Sequence, residues 1–144
     1  MESLGQEIGG PSKASDMIKG NGVSLILKSI SLNYKRPVTY PDTLLIAHKA
    51  HLGGIFTTTN IDIRDISDPS KQKLPKTHLH VYAAAYSFAQ KRIVTESDSV
   101  LVWYDYDKLA KCDPGEEVRA VIERRMVDGL MRQKEAQAAT ASSS

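Results

Sequence analysis

The middle of this 144-residue chain is dominated by short segments in which apolar and polar residues alternate. A period of two is typical of β-strands, because successive side chains of a strand point to opposite faces of the sheet. The alternation predicts strands at Val23–Tyr34, Thr43–Ala50, Leu79–Gln90 and Ile93–Tyr106, with a weaker one at Phe56–Ile66. The links between successive strands are short, as at Lys91-Arg92, so we expect an antiparallel sheet and an α+β fold.

Helical signals are concentrated in the C-terminal region. The segment Asp113-Pro114-Gly115-Glu116 has residues that favour a helix start, and apolar residues then recur at helical spacing as far as Met131. We expect this helix to cover part of the apolar sheet face, to fray after Gln133 and to be followed by a disordered tail. Residues 1–22 are rich in glycine, and we expect them to be irregular.

The charge balance and the cysteine content argue against several classes of protein. The chain has 19 basic and 17 acidic side chains and a net charge of +2, which does not suit a dedicated nucleic-acid binder. No apolar stretch is long enough to span a membrane, and Cys112 is the single cysteine, so no internal disulfide can form. The first twenty residues lack a secretory leader, and we expect a cytoplasmic protein.

The sequence does not identify a catalytic residue. It contains no serine-hydrolase elbow and no phosphate-binding glycine motif. The four histidines are His48, His51, His78 and His80. They could bind a metal, but no carboxylate completes the set, so we favour ordinary surface histidines and expect no metal. Carboxylates such as Asp62 or Asp105 could activate water, although a solvated charge is the simpler interpretation of each.

Two stretches of the chain resemble a known family. They are K-G-N-G-V-S-L-I-L-K-S-I-S-L-N-Y-K-R-P-V-T-Y-P-D-T-L-L-I-A-H-K (Lys19–Lys49) and A-Y-S-F-A-Q-K-R-I-V-T-E-S-D-S-V-L-V-W-Y-D-Y-D-K-L-A-K-C (Ala85–Cys112). Both resemble the 4-hydroxybenzoyl-CoA thioesterase-like hotdog family, and most closely its fungal thioesterase-like members. The resemblance implies an antiparallel sheet wrapped around a long helix, a homodimer with paired edge strands, and hydrolysis of acyl-CoA by a carboxylate.

The resemblance is incomplete at the N-terminus. The opening strand of the family, with its catalytic aspartate, and the long central helix that follows have no counterpart in the first 22 residues. We therefore expect a hotdog-like fold whose N-terminal part is reduced or absent. The expected organisation is an irregular segment at 1–22, a hotdog-like domain at 23–126 with a candidate insertion at 53–77, and a helix end with a disordered tail at 127–144.

Two functional interpretations follow from the resemblance. The first is an acyl-CoA thioesterase, active or catalytically impaired, which releases the free acid and CoA. Acyl-CoA is then the substrate and no cofactor is needed, and we expect Lys35, Arg36 and Arg92 to contact the CoA phosphates. The alternative is a non-catalytic hotdog relative that acts through dimerisation or partner binding, because a missing strand leaves an exposed sheet edge.

Overall fold

Two helices and five strands make up the parts of the chain that the computed structural model describes, residues 2–51 and 76–142. In chain order they are α1 (Glu2–Lys19), β1 (Val23–Tyr34), β2 (Leu44–His51), β3 (His78–Ser87), β4 (Arg92–Asp105), β5 (Ala110–Lys111) and α2 (Glu116–Ser142). The four longer strands confirm the predicted ones, with ends that differ by a few residues at most. The expected strand at Phe56–Ile66 and the candidate insertion at 53–77, apart from residues 76 and 77, lie outside the described residues.

The strands form one antiparallel sheet in the order β1-β4-β3-β2, and β5 pairs with the end of β4. The β3–β4 hairpin turns at residues 88–91, where Lys91 adopts a left-handed backbone conformation with φ of 53°. This arrangement confirms the expected antiparallel α+β class. It also places β1 and β2 on the outside of the sheet, with β4 and β3 between them.

Both helices pack against one end of one sheet face. The buried core cluster combines residues of α1, the sheet and α2, namely Leu4, Met17, Leu25, Leu79, Trp103, Val118 and Ile122. The C-terminal helix therefore covers part of the apolar sheet face, as predicted. Neither helix in the described part of the chain has an apolar run long enough to cross a membrane.

The prediction that residues 1–22 are irregular is wrong, because α1 occupies Glu2–Lys19. The helix is interrupted at Gly9 and Gly10, and Gly10 has a positive φ of 75°. The chain turns back at this break, so that Gly5 lies directly against Ala14, where a Cβ on Gly5 would come within 2.6 Å of the Ala14 Cα. Burial of apolar side chains against the sheet outweighs the low helix propensity of glycine.

The prediction of a disordered tail is also wrong within the described residues. Helix α2 continues well past Gln133 and ends at Ser142. Its last turns contain several alanines, which have the highest intrinsic helix propensity. The low sequence complexity of this segment suggested disorder, but alanine-rich helices have low complexity too.

Candidate functional site

The strand register aligns side chains in rows across the helix-facing side of the sheet, because directly paired residues of an antiparallel sheet point to the same side. In the row Leu27–Leu101–Leu79, Leu79 belongs to the core cluster and Leu101 packs against it. Three further rows follow, at Ile30–Ser99–Val81–Ala50, Leu32–Ser97–Ala83–His48 and Tyr34–Thr95–Ala85–Ile46. In the first of them, Val81 and Ala50 also pack against the core cluster. We call these three rows the trough.

The trough has small residues along its centre and larger ones along its sides. Alanine, serine and threonine occupy most of the central positions on β3 and β4. Apolar side chains on the outer strands are strongly exposed, with Ile30 at 51%, Tyr34 at 74% and Ile46 at 58%. A contiguous exposed apolar surface of this kind is typical of a binding site, because apolar surface gains free energy when a ligand or partner covers it.

The far end of the trough opens into a groove of about 590 Å³. The groove is lined by Tyr34, Lys35, Arg36, Pro37, Val38, Leu44 and Thr95. The loop that forms its rim is anchored to the sheet at several points. The backbone N–H groups of Lys35 and Arg36 both donate to the Val94 carbonyl, at 2.8 and 3.1 Å, and the Gln90 side-chain amide donates to the Pro37 carbonyl at 2.9 Å.

Asp42 anchors the other end of the same loop. Its carboxylate accepts hydrogen bonds from the Thr43 and Ala89 backbone N–H groups and from the Ser87 hydroxyl. The hydrogen bond from the Ser87 hydroxyl holds the pKa of Asp42 below its usual range, and the hydrogen bond from the Ala89 N–H makes a smaller contribution in the same direction. An ionised Asp42 therefore ties the loop to the β3–β4 turn.

The three predicted phosphate-contacting cations have different environments. The Lys35 ammonium lies 2.7 Å from Glu96 Oε2, and the Tyr82 hydroxyl donates to Glu96 Oε1 at 2.8 Å. Arg36 lines the groove and is exposed, and its guanidinium makes no ion pair with the described residues. Arg92 is exposed at the start of β4, outside the groove lining, and its Nε donates to the Gln90 carbonyl at 3.4 Å.

The opposite face of the sheet carries a polar cluster. His51 Nε2 lies 3.0 Å from Asp98 Oδ1, and the His51 and His80 rings are 5.5 Å apart. Burial lowers the pKa of His51, and the nearby Asp98 carboxylate acts in the other direction. No group of three histidine, cysteine or acidic side chains is arranged to hold a metal within the described ranges. A metal site formed by the histidines is therefore not supported within those ranges.

The carboxylates named as candidate bases do not reach the trough. Asp105 lies six residues from Ser99, the nearest trough position on β4, which is about 20 Å for an extended strand. Its carboxylate accepts hydrogen bonds from the Asp107 and Lys108 backbone N–H groups, at 3.0 and 3.1 Å, and stabilises a turn. Asp62 lies outside the described residues.

The His48 side chain lies on the trough side of β2. It is exposed, and it occupies the row with Leu32, Ser97 and Ala83, whereas His51 faces the other side of the sheet. The sequence pattern alone did not distinguish it from the other three histidines. The signal was present in the spacing Leu44, Ile46, His48, Ala50, which places this histidine on the apolar side of its strand.

Comparisons with known proteins show the fold. No family model matches the chain, and neither does any curated protein sequence. The fold matches BH1999 gentisyl-coenzyme A thioesterase with a TM-score of 0.55 and 15% identity over 84% of this chain and 74% of that one. The fold is hotdog-like.

Other solved thioesterases give similar matches. YbaW, a probable thioesterase from Escherichia coli, matches with a TM-score of 0.54 and 14% identity over 87% of this chain and 77% of that one. A thioesterase from Thermus thermophilus, solved with coenzyme A and Zn, matches with a TM-score of 0.51 and 13% identity over 71% of this chain. This chain spans 59% of the length of the Thermus protein.

Proposed function

We propose that this chain is an acyl-CoA thioesterase that binds its substrate in the trough and releases the free acid and CoA. The observation that carries the proposal is an apolar trough that ends in a groove beside Arg36. Acyl-CoA has the complementary form, an apolar acyl group joined through a flexible arm to a polyanionic nucleotide. The shared fold with thioesterases, one of them solved with coenzyme A, supports the proposal.

The three cations are proposed to contact the CoA phosphates. Arg36 is the principal one, because it lines the groove and a guanidinium can bind phosphate oxygens in a bidentate manner. Lys35 contributes less, because Glu96 already balances its charge. Arg92 provides an outer contact from the neighbouring hairpin.

His48 is proposed to be the general base. Its imidazole would accept a proton from a water molecule as that water attacks the thioester carbonyl carbon. The carbon–sulfur bond then breaks, and the CoA thiolate takes the proton back from the imidazolium. The products are the free acid and CoA, so atoms and protons balance without a metal or a cofactor.

The test is thiol release from acyl-CoA substrates, measured in a Cys112→Ser background to remove the protein's own thiol. We expect turnover well above the uncatalysed rate, and a loss of roughly 100-fold or more in His48→Asn, since general base catalysis contributes about that much. His80→Asn is the matched control, because His80 lies on the opposite sheet face. No turnover in folded protein would refute the activity, and equal loss in both variants would refute the role of His48.

A second candidate function is favoured by the exposed outer strands. Leu32 on β1 and Leu45 on β2 are about half exposed, and β1 and β2 have no further neighbour in the described part of the sheet. A non-catalytic hotdog relative would use such an edge to pair with a second copy. This alternative would be supported over hydrolysis if the folded protein formed dimers but showed no turnover, and if Leu32→Lys dissociated those dimers. The homodimer and the cytoplasmic location remain predictions.

A further inference from the structure

The groove at the far end of the trough contains an aromatic ring as well as a cation. Tyr34, the last residue of β1, lines the groove together with Arg36, and it is 74% exposed. Building on the proposed function, we infer that the groove is a nucleotide subsite, in which the Tyr34 ring stacks on the adenine base of CoA while Arg36 binds a phosphate group. The acyl carrier is then CoA itself and not the phosphopantetheine arm of a carrier protein.

The ring of Tyr34 is accessible to a ligand. Tyr34 lies on an outer strand, and its partner in the register is Thr95, which has a much smaller side chain. Among the described residues, the Tyr34 ring packs against no other aromatic ring. Of the described residues that line the groove, Tyr34 alone is aromatic. An exposed ring gains free energy when a planar base covers it, and every nucleotide base has a face for stacking.

The stacking position and the phosphate position lie close together. Tyr34 and Arg36 are two residues apart, which corresponds to at most about 7 Å of chain. In CoA the adenine and one of the phosphates are attached to the same ribose, so these two groups are also close neighbours. Lys35 lies between the two residues, but its ammonium is 2.7 Å from Glu96 Oε2. One nucleotide can therefore contact the Tyr34 ring and the Arg36 guanidinium at the same time.

The loop that carries Arg36 is fixed by hydrogen bonds to the sheet. The backbone N–H groups of Lys35 and Arg36 both donate to the Val94 carbonyl, and the Gln90 amide donates to the Pro37 carbonyl. Because these bonds hold the loop beside β1, binding of a ligand orders little additional chain. The groove volume of about 590 Å³ lies within the range of small-molecule sites. It therefore has room for a base and a phosphate.

The nucleotide distinguishes CoA from the arm of an acyl carrier protein. That arm ends in the same thiol and has one phosphate, but it has no aromatic ring. Its phosphate can pair with Arg36, whereas the Tyr34 ring stays uncovered. Stacking on Tyr34 therefore adds affinity for CoA alone, and specificity is such a difference between two affinities.

The experiment measures binding of CoA, of its nucleotide part (adenosine bisphosphate) and of phosphopantetheine to the full chain by calorimetry. We expect adenosine bisphosphate to compete with CoA, and CoA to bind at least about tenfold tighter than phosphopantetheine, which is the lower part of the range for base–aromatic stacking. Tyr34→Ala should weaken CoA binding roughly tenfold and leave phosphopantetheine binding unchanged, whereas Tyr34→Phe should keep the CoA affinity. Tyr40→Ala is the matched control, because Tyr40 is 99% exposed and does not line the groove, and it should leave the CoA affinity unchanged.

Three results would overturn the inference. Equal affinity for CoA and phosphopantetheine would show that the groove does not recognise the nucleotide. Unchanged CoA affinity in Tyr34→Ala would show that the base does not stack on this ring. An equal loss in Tyr34→Phe and Tyr34→Ala would indicate a hydrogen bond from the hydroxyl instead of stacking. The proposed function would stand in all three cases, whereas folded protein that bound neither CoA nor phosphopantetheine would count against the proposed function itself.

Discussion

Replacement of Ile122 by alanine tests whether α2 covers the end of the sheet that closes the trough. Ile122 is 4% exposed and belongs to the cluster that joins α2 to Leu25 and Trp103. The substitution removes three carbon atoms, which is worth about 2.4 kcal/mol of transfer free energy at about 0.8 kcal/mol per buried methylene. The cavity left behind adds to this, so the free energy of unfolding should fall by about 2–4 kcal/mol.

Equilibrium unfolding in urea measures this change. Val127→Ala is the matched control on the same helix, because Val127 is 50% exposed, and it should change the free energy of unfolding by less than about 0.5 kcal/mol. If Ile122→Ala were as mild as the control, α2 would not be packed on the sheet. The trough would then not be closed at that end by α2.

Two further predictions concern the loop at the groove. Arg36→Gln should weaken CoA binding about fivefold, as measured by calorimetry, because a partly exposed arginine–phosphate contact is worth about 1 kcal/mol. Arg132→Gln on α2 is the control and should have no effect. If Arg36→Gln and the unchanged protein bound CoA with equal affinity, Arg36 would not belong to the site. The Ser87 hydrogen bond lowers the pKa of Asp42. Asp42 therefore stabilises the fold fully above the usual aspartate pKa of about 4, and this stabilisation is lost as the pH falls through the lowered pKa. Asp42→Asn should therefore flatten the acid limb of a plot of unfolding free energy against pH, and an unchanged slope would contradict the anchoring role.

Elements that depend on local chemistry were predictable from the sequence. The period-two alternation placed β1 at Val23–Tyr34, with the same ends as in the structure. The segment Asp113–Glu116 predicted a helix start, and α2 begins at its last residue, Glu116, while the Asp113 carboxylate accepts a hydrogen bond from the Gly115 N–H at 2.9 Å in the turn before the helix. Both signals act over a few neighbouring residues, so the sequence contains all the information that they need.

The candidate site was only partly predictable. Of the three cations predicted to contact CoA phosphates, Lys35 and Arg36 line the groove and Arg92 does not. The sequence could not show that Glu96 balances the charge of Lys35, or that His48 shares a row with Ser97. Those neighbours come from different strands, and the register of the sheet decides which side chains meet.

By itself, the sequence determined the antiparallel sheet, the start of the C-terminal helix and the position of the basic loop, because alternation, capping and turn formation are local. Only the tertiary structure decided that the glycine-rich start of the chain forms α1, that α2 closes one end of the sheet face and that the trough stays open at the other. The physical reason is that burial of apolar surface between distant segments outweighs local propensity, and its outcome depends on how the whole chain packs.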